Sequence, residues 1–232
     1  MPKKHILVVD DDKVSLKLIK HTLITQGFEI IEAFDGKSAL DYISNNKIDA
    51  ALLDLNLPDF YGLEILKFIR LKPSLCNIPI IILTSNDDKT DTVIALELGA
   101  DDYIVKPFHK RELIARLNVC FRRMNQNYSS FSSELSFGEL SIDLDKRMVK
   151  INNTEINLTF TEFEILSLVA TNAGKVFSRD ALITKLWGEN YFAETRTIDN
   201  HIASLRRKLD DKASNHNYIE TIRNVGYRFR KY

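Results

Sequence analysis

Residues 51–62 read ALLDLNLPDFYG. Ala51-Leu52-Leu53 suits burial, yet it runs straight into Asp54 and a proline-containing loop. An ionised carboxylate at the end of a buried segment is costly unless a cation or several donors meet it. Four further short apolar runs occur between residues 5 and 122: Ile6-Leu7-Val8-Val9, Glu29-Ile30-Ile31, Ile80-Ile81-Ile82-Leu83 and Asp102-Tyr103-Ile104-Val105. They are continuous rather than alternating, which indicates strands covered on both faces, as in a parallel sheet between helices. Helical stretches are predicted between them near 13–26, 36–46, 61–71 and 89–98, with a fifth at 109–122. The first half therefore reads as an α/β unit, (βα)₅, with right-handed crossovers.

The rest of the chain is organised differently. Residues 124–133, MNQNYSSFSS, are polar and without period, the composition of a linker. From 134 to 157, short strands are punctuated by turn signals at Phe137-Gly138, 143–146 and Asn152-Asn153. Helices are expected near 159–171, 178–187 and 195–210, then a hairpin at 218–230. The predicted organisation is a domain over 1–123, a linker over 124–133 and a second domain over 134–232.

At 232 residues, with 44% hydrophobic and 28% charged content, the composition is that of two soluble globular domains. A net charge of zero excludes a whole-protein field that would draw nucleic acid or an anionic membrane. The two cysteines, Cys76 and Cys120, sit in apolar helical contexts and point to a reducing compartment. The apolar run at the N-terminus is too short for a signal peptide or a membrane span. A cytoplasmic protein with no membrane attachment is expected.

In an open parallel sheet, ligands bind beyond the carboxyl ends of the strands. Those ends carry Asp10-Asp11, Asp54, Thr84-Ser85 and Lys106-Pro107, so three carboxylates, a hydroxyl and an ammonium converge on one edge. Carboxylates this close repel, and their pKa values rise unless a cation joins them. Mg²⁺ suits a few carboxylates supplemented by carbonyl and water oxygens. Asp54 can then stay ionised as a nucleophile toward phosphorus, with Lys106 and Thr84 holding the phosphoryl oxygens. Taken singly, any of these acids reads as a solvated turn acid or a helix cap; Asp12, directly before a helix, fits a cap well. Agreement at four strand ends favours a site. No G-x-G-x-x-G follows the first strand, which disfavours a dinucleotide. Asn56 stands where a phosphoaspartate hydrolase places its proton donor.

VVDDD, LLDLNLPDFYG, IILTS and GADDYIVKPF together resemble the marks of a response-regulator receiver domain, a flavodoxin-like fold. The resemblance covers most of residues 5–123. It implies that Asp54 is the phosphoacceptor and that Asp10 and Asp11 are the Mg²⁺ acids, with Asn56 contributing its backbone carbonyl. It also implies that Thr84 and Tyr103 form a switch pair and that Lys106 contacts the phosphoryl group. Ser85 replaces the family's usual alanine. An activated receiver of this kind dimerises through ion pairs, for which Asp102, Glu112, Arg116 and Arg123 match; Thr92 and Asn118 replace usual basic residues.

In the second half, Ile198, Ile202, Leu205 and Leu209 recur at helical spacing and form one core face. The opposite face carries Arg196, Thr197, Asn200, Ala203, Ser204 and Arg207, with His201, Arg206 and Lys208 on the flanks. Residues 196–231 hold nine Lys/Arg against four Asp/Glu. Such a helix beside a basic hairpin suits a duplex major groove, and equally an ordinary solvated helix. LTFTEFEILSLVATNAGKVFSRDALITKLWG, RTIDNHIASLRRKL and YIETIRNVGYRF resemble the winged helix-turn-helix effector domain of OmpR/PhoB-type regulators. The resemblance implies that Arg179, Trp187, Arg196 and Thr197 face the DNA backbone. It places His201 and Arg206 along the recognition helix, Arg223 at the wing, and Tyr227 at a family position beside them. Trp187 fits core packing equally well. Ala203 and Ser204 stand where relatives often carry arginine, and Asn224 replaces a glycine.

The implied protein is a two-component transcription regulator, phosphorylated on Asp54 by a sensor histidine kinase, dimerising and binding promoter DNA, with RNA polymerase as a further partner. It is not expected to be an enzyme acting on a separate substrate. The alternatives are a DNA-binding regulator independent of phosphorylation and, less well supported, a phosphoaspartate hydrolase.

Overall fold

A computed structural model describes residues 3–85, 89–124, 134–188, 196–209 and 218–231. The chain divides into two compact units, Met1–Asn118 and Val119–Tyr232. In the first, strands β1 (His5–Val9), β2 (Glu29–Ala33), β3 (Ala50–Asp54), β4 (Ile80–Ser85) and β5 (Asp102–Lys106) alternate with helices α1 (Lys13–Ile24), α2 (Gly36–Asn45), α3 (Gly62–Leu71) and α4 (Lys89–Glu97). Helix α5 (Lys110–Met124) follows β5. The sheet is wholly parallel in the order β2-β1-β3-β4-β5. Every residue of β3 is buried, as its unbroken apolar run requires. The chain runs outward from β1 to β2 and then returns past β1 to β3. The order therefore reverses between β1 and β3, the place where a crevice opens beyond the strand ends.

Side chains fix the helix starts bordering that crevice. Asp12 caps α1 by accepting the Val14 amide at 2.9 Å. Asp35 caps α2 through the Ser38 amide, and Asp59 accepts the Gly36 and Lys37 amides at 2.7 and 2.9 Å. The loop after β3 is thereby tied to the start of α2. At the opposite edge, Arg70 donates to Asp101 at 2.6 Å and to the carbonyls of Cys76, Ile78 and Gly99, closing two loops with one guanidinium.

The second unit opens with an antiparallel sheet of β6 (Glu134–Phe137), β7 (Leu140–Asp143), β8 (Met148–Ile151) and β9 (Thr154–Ile156). Asn152 and Asn153, both at positive φ, turn the β8–β9 hairpin, as the Asn-Asn pair predicts. Helix α6 (Phe160–Ala170), strand β10 (Val176–Ser178), α7 (Arg179–Trp187), α8 (Arg196–Lys208) and the strands β11 (Ile219–Ile222) and β12 (Gly226–Phe229) complete a winged helix-turn-helix. Ile198, Ile202, Leu205 and Leu209 all enter its core, as their spacing predicts. Asn224 turns the wing at φ 60°, a left-handed conformation that asparagine tolerates better than most residues, so the missing glycine leaves the turn intact. Among the described residues no helix is long and apolar enough to cross a membrane.

Candidate functional site

The acids at the switch point come together. Asp10 follows β1 with no exposure at all, Asp54 ends β3 buried, and Asp11 is exposed beside them. One carboxylate oxygen from each lies within 4.8 Å of the others. Lys106, the last residue of β5, reaches across to hydrogen-bond Asp54 and Asp10 Oδ2, the latter at 2.6 Å. Asp10 also accepts the Asp12 amide at 3.0 Å and the Ser15 hydroxyl at 2.7 Å. The other oxygen of Asp54 accepts the Asn56 amide at 2.9 Å. Burial pushes the Asp54 carboxyl up, and the Lys106 ammonium only partly offsets it. Burial works against the charge of Lys106, but the two carboxylates hold its proton and raise its pKa.

The backbone around Asp54 is held from behind. After Leu55 the chain loops out and returns, with an Asn56–Tyr61 bridge and the Gly62 amide donating to the Leu55 carbonyl at 2.8 Å. A Cβ on residue 62 would lie 2.1 Å from the Asp54 carbonyl oxygen, so only glycine permits this return. Thr84 is buried, its hydroxyl turned to the Ser85 carbonyl at 3.2 Å, and Tyr103 packs half-buried against the core.

Three carboxylates against one ammonium leave this crevice with an excess of negative charge, presented as oxygen donors. That donor set suits a hard divalent cation such as Mg²⁺. Asp10, Asp11 and Asp54 are the carboxylates that would hold it. A separate cleft of about 720 Å³ opens at the amino-terminal edge of the sheet, lined by Lys4, Ile43, Asp49, Lys72 and Leu75 among others. Its Lys4 pairs with Asp49 and its Lys72 reaches the Ile43 carbonyl near the end of α2, so these charges answer structural needs. It lies away from the acids.

Further along the receiver unit, Asp102 and Arg116 pair within the chain: Nη1 donates to both Asp102 oxygens at 2.9 Å, and Nη2 donates to Glu112 at 2.7 Å. The side chains of Arg123 and Arg196 lie outside the described residues.

In the winged helix, several residues expected at a DNA surface lie elsewhere. Ser204, expected on the open face of α8, is 6% exposed and donates to Glu162 Oε1 at 2.7 Å. His201 is 1% exposed and stacks on Trp187, which is itself buried in the core. Thr197 is buried as well. The reason is geometric: α8 packs against both α6 and α7, so its inward arc is wider than the four-residue stripe that spacing alone outlines. Arg206, expected at base edges, bonds the Ile219 carbonyl at 2.7 Å and the Thr221 hydroxyl at 2.9 Å, with its guanidinium over the Tyr227 ring. Its charge is spent on the hairpin.

Arg179 donates to Asp199 at 2.7 Å, and its guanidinium lies 5.0 Å from the Tyr227 ring centroid. Burial, together with the Asp199 carboxylate that accepts its hydroxyl proton, pushes the Tyr227 phenol up to about 12. Asn200 is half-buried, whereas Arg207 and Arg223 are exposed.

Two contributors escaped the sequence reading. Ser15 bonds Asp10; its signal is a hydroxyl at the third position of the helix that Asp12 caps. Glu162 is the buried hub joining α6 to α8 through Ser204 and Lys208. Its signal was the Thr159-x-x-Glu162 capping box, which the structure forms.

Residues 6–118 match the family described as response regulator receiver domain, and residues 153–229 match that described as transcriptional regulatory protein, C terminal. Among solved structures, DrrB of Thermotoga maritima, described as an OmpR/PhoB homolog, is 32% identical, with 99% of this chain and 100% of that chain covered and a TM-score of 0.52. A cysteine-to-serine mutant of RitR is 27% identical over the same shares, with a TM-score of 0.80. Its cysteine-to-aspartate counterpart is also 27% identical, with a TM-score of 0.78.

Proposed function

Because this chain belongs to the OmpR/PhoB-type response regulators and is a phosphorylation-activated transcription regulator, we propose that Asp54 is its phosphoacceptor. The observation that carries this is the bridging of Asp54 and Asp10 by Lys106 at the reversal of strand order. An Asp54 oxygen attacks phosphorus, and the oxygen–phosphorus bond forms as the phosphorus–nitrogen bond of a histidine kinase's phosphohistidine breaks. The imidazole leaves and takes up a proton. Asp10, Asp11, Asp54 and the Asn56 carbonyl would hold Mg²⁺, which would neutralise charge on the phosphoryl oxygens. Lys106 moves from the carboxylates to a phosphoryl oxygen, and the Thr84 hydroxyl turns inward with Tyr103 following it.

The receiver spans 1–123 and the effector 134–232, joined by 124–133. Phosphorylated receivers pair through Asp102, Glu112, Arg116 and Arg123, with Asp102, Glu112 and Arg116 exchanging partners within the chain for partners across the dimer. The Asp102–Arg116 pair is largely buried and already satisfied within the chain, so the dimer is weak without phosphorylation. Arg196, Arg207 and Arg223 meet duplex promoter DNA, and the bound dimer works with RNA polymerase in the cytoplasm. The chain acts on no separate substrate.

The test is intact-mass measurement after incubation with Mg²⁺ and acetyl phosphate. The expected result is one base-labile phosphoryl group on the wild type and none on Asp54→Asn. Full labelling of the Asn variant, or labelling that survives a chelator, would sink the assignment.

A further inference from the structure

The Asp10 carboxylate has no exposure, so its charge is kept only by what touches it. Three donors do: the Asp12 amide on Oδ1, and both the Lys106 ammonium and the Ser15 hydroxyl on Oδ2. Lys106 is shared with Asp54, on a long flexible stem, and is the donor free to leave. The other two are fixed, because Asp12 and Ser15 belong to the cap and first turn of α1, and that cap is closed by the Val14 amide on Asp12. A carboxylate oxygen offers two lone-pair directions. Oδ2 accepts from both Ser15 and Lys106, two donors for two directions.

We propose that Ser15 is a positioning residue for the cation: its hydroxyl pins the Asp10 carboxylate so that, when Lys106 departs, the vacated direction on Oδ2 faces the metal. The inference rests on the reading of Asp10 as a metal acid. Ser15 itself touches neither metal nor phosphoryl group. Partners that orient a ligand in this way typically contribute about 10–100-fold in metal affinity. Without the hydroxyl, Oδ2 keeps only its bond to Lys106, the carboxylate turns toward that ammonium, and the cation has to displace a tighter ion pair.

The experiment is calorimetric titration of the full-length, unphosphorylated protein with Mg²⁺, accompanied by the Mg²⁺ midpoint for labelling by acetyl phosphate. Ser15→Ala should weaken Mg²⁺ binding roughly tenfold and move the labelling midpoint by the same factor. Ser15→Thr, which keeps the hydroxyl, should restore both, whereas Ser15→Val, of nearly the same shape, should behave as alanine does. A merely structural role would make Thr and Val alike, and that result overturns the proposal. Unchanged Mg²⁺ binding in Ser15→Ala, with binding lost in Asp10→Asn, overturns the role of Ser15 and leaves the metal acid standing. Binding that survives Asp10→Asn removes the metal acid, and the role of Ser15 with it.

Discussion

Lys106 hydrogen-bonds Asp54 across 52 residues of chain, and it bonds Asp10 at the same time. In the resting protein the ammonium thus offsets the repulsion between two buried carboxylates, as a divalent cation would. Lys106→Ala should leave the carboxylates facing each other and destabilise the metal-free receiver by about 3 kcal/mol, the low end for a broken buried pair because Lys106 is partly exposed. Mg²⁺ should restore much of the loss. Thermal melts in chelator and in excess Mg²⁺ check this: the Mg²⁺-induced rise in Tm should be larger in the variant than in the wild type. Equal rises would mean that Lys106 is no counter-ion.

Gly62 sets the position of Asp54 from behind. An added Cβ would lie 2.1 Å from the Asp54 carbonyl oxygen and 2.8 Å from Leu55 Cα, both backbone atoms that no side-chain rotation can move away. Gly62→Ala should therefore cost about 1–3 kcal/mol in stability through overpacking. It should also slow labelling of Asp54 by roughly 100-fold, the scale of a 1 Å misplacement. Denaturant melts and single-turnover labelling test both parts. A variant labelled at the wild-type rate would show that the loop absorbs the methyl group elsewhere.

Glu162 couples the fold of the effector domain to pH. Burial works against its charge, yet Lys208 at 2.6 Å, the Thr159 amide and the Ser204 hydroxyl outweigh that and hold its carboxyl below the ordinary glutamate range. A carboxyl depressed in the folded state contributes stability above its unfolded pKa, about 4.3, and loses it as pH falls through the folded value. The effector domain should lose stability progressively below about pH 4.3. Glu162→Gln should flatten that acid limb while costing about 1–3 kcal/mol at neutral pH through imperfectly replaced hydrogen bonds. Urea unfolding across the acid range decides it; an acid limb unchanged in the Gln variant places the titration on another group.

How much of this was legible follows from what each signal depends on. The receiver's strands and its acid edge were readable because β3 and β4 are continuous apolar runs, and because Asp54, Thr84 and Lys106 stand at strand ends whose direction the fold class dictates. Local turn chemistry was readable too, at Asn152-Asn153 and at Asp12. Ser204 and His201 were not, since one helix's periodicity shows which stripe is apolar, not how far its neighbours wrap around it. Ser204 is polar and still buried because Glu162, 42 residues earlier, accepts its hydroxyl. The partners of Arg206 likewise come from a hairpin beyond the helix end, and no spacing within the helix announces them.

That placement of Arg206 changes what its removal should do to DNA binding. Its Nε and Nη2 reach the Ile219 carbonyl at 3.2 and 2.7 Å, Nη2 also donates to Thr221, and the guanidinium lies over Tyr227, so it fastens α8 to both strands of the wing. Arg206→Ala should loosen the hairpin and weaken binding to specific and random duplexes by the same factor, about tenfold if the disorder costs roughly 1.4 kcal/mol. It should leave the salt dependence nearly unaltered, since no phosphate contact is lost. Arg207 is exposed on the helix, so Arg207→Ala should lower affinity for both duplexes and flatten the log–log salt slope by about one. Arg223 is exposed just before the turn at Asn224, where it can enter a minor groove, and Arg223→Ala should matter most on sites with A·T-rich flanks. The measurement is a binding titration of the three variants on specific and random duplexes at several salt concentrations, with a melting curve for each. If Arg206→Ala narrows the gap between the two duplexes while the effector domain's Tm stays put, Arg206 leaves the hairpin on binding and reads a base, and its role as a strut is wrong.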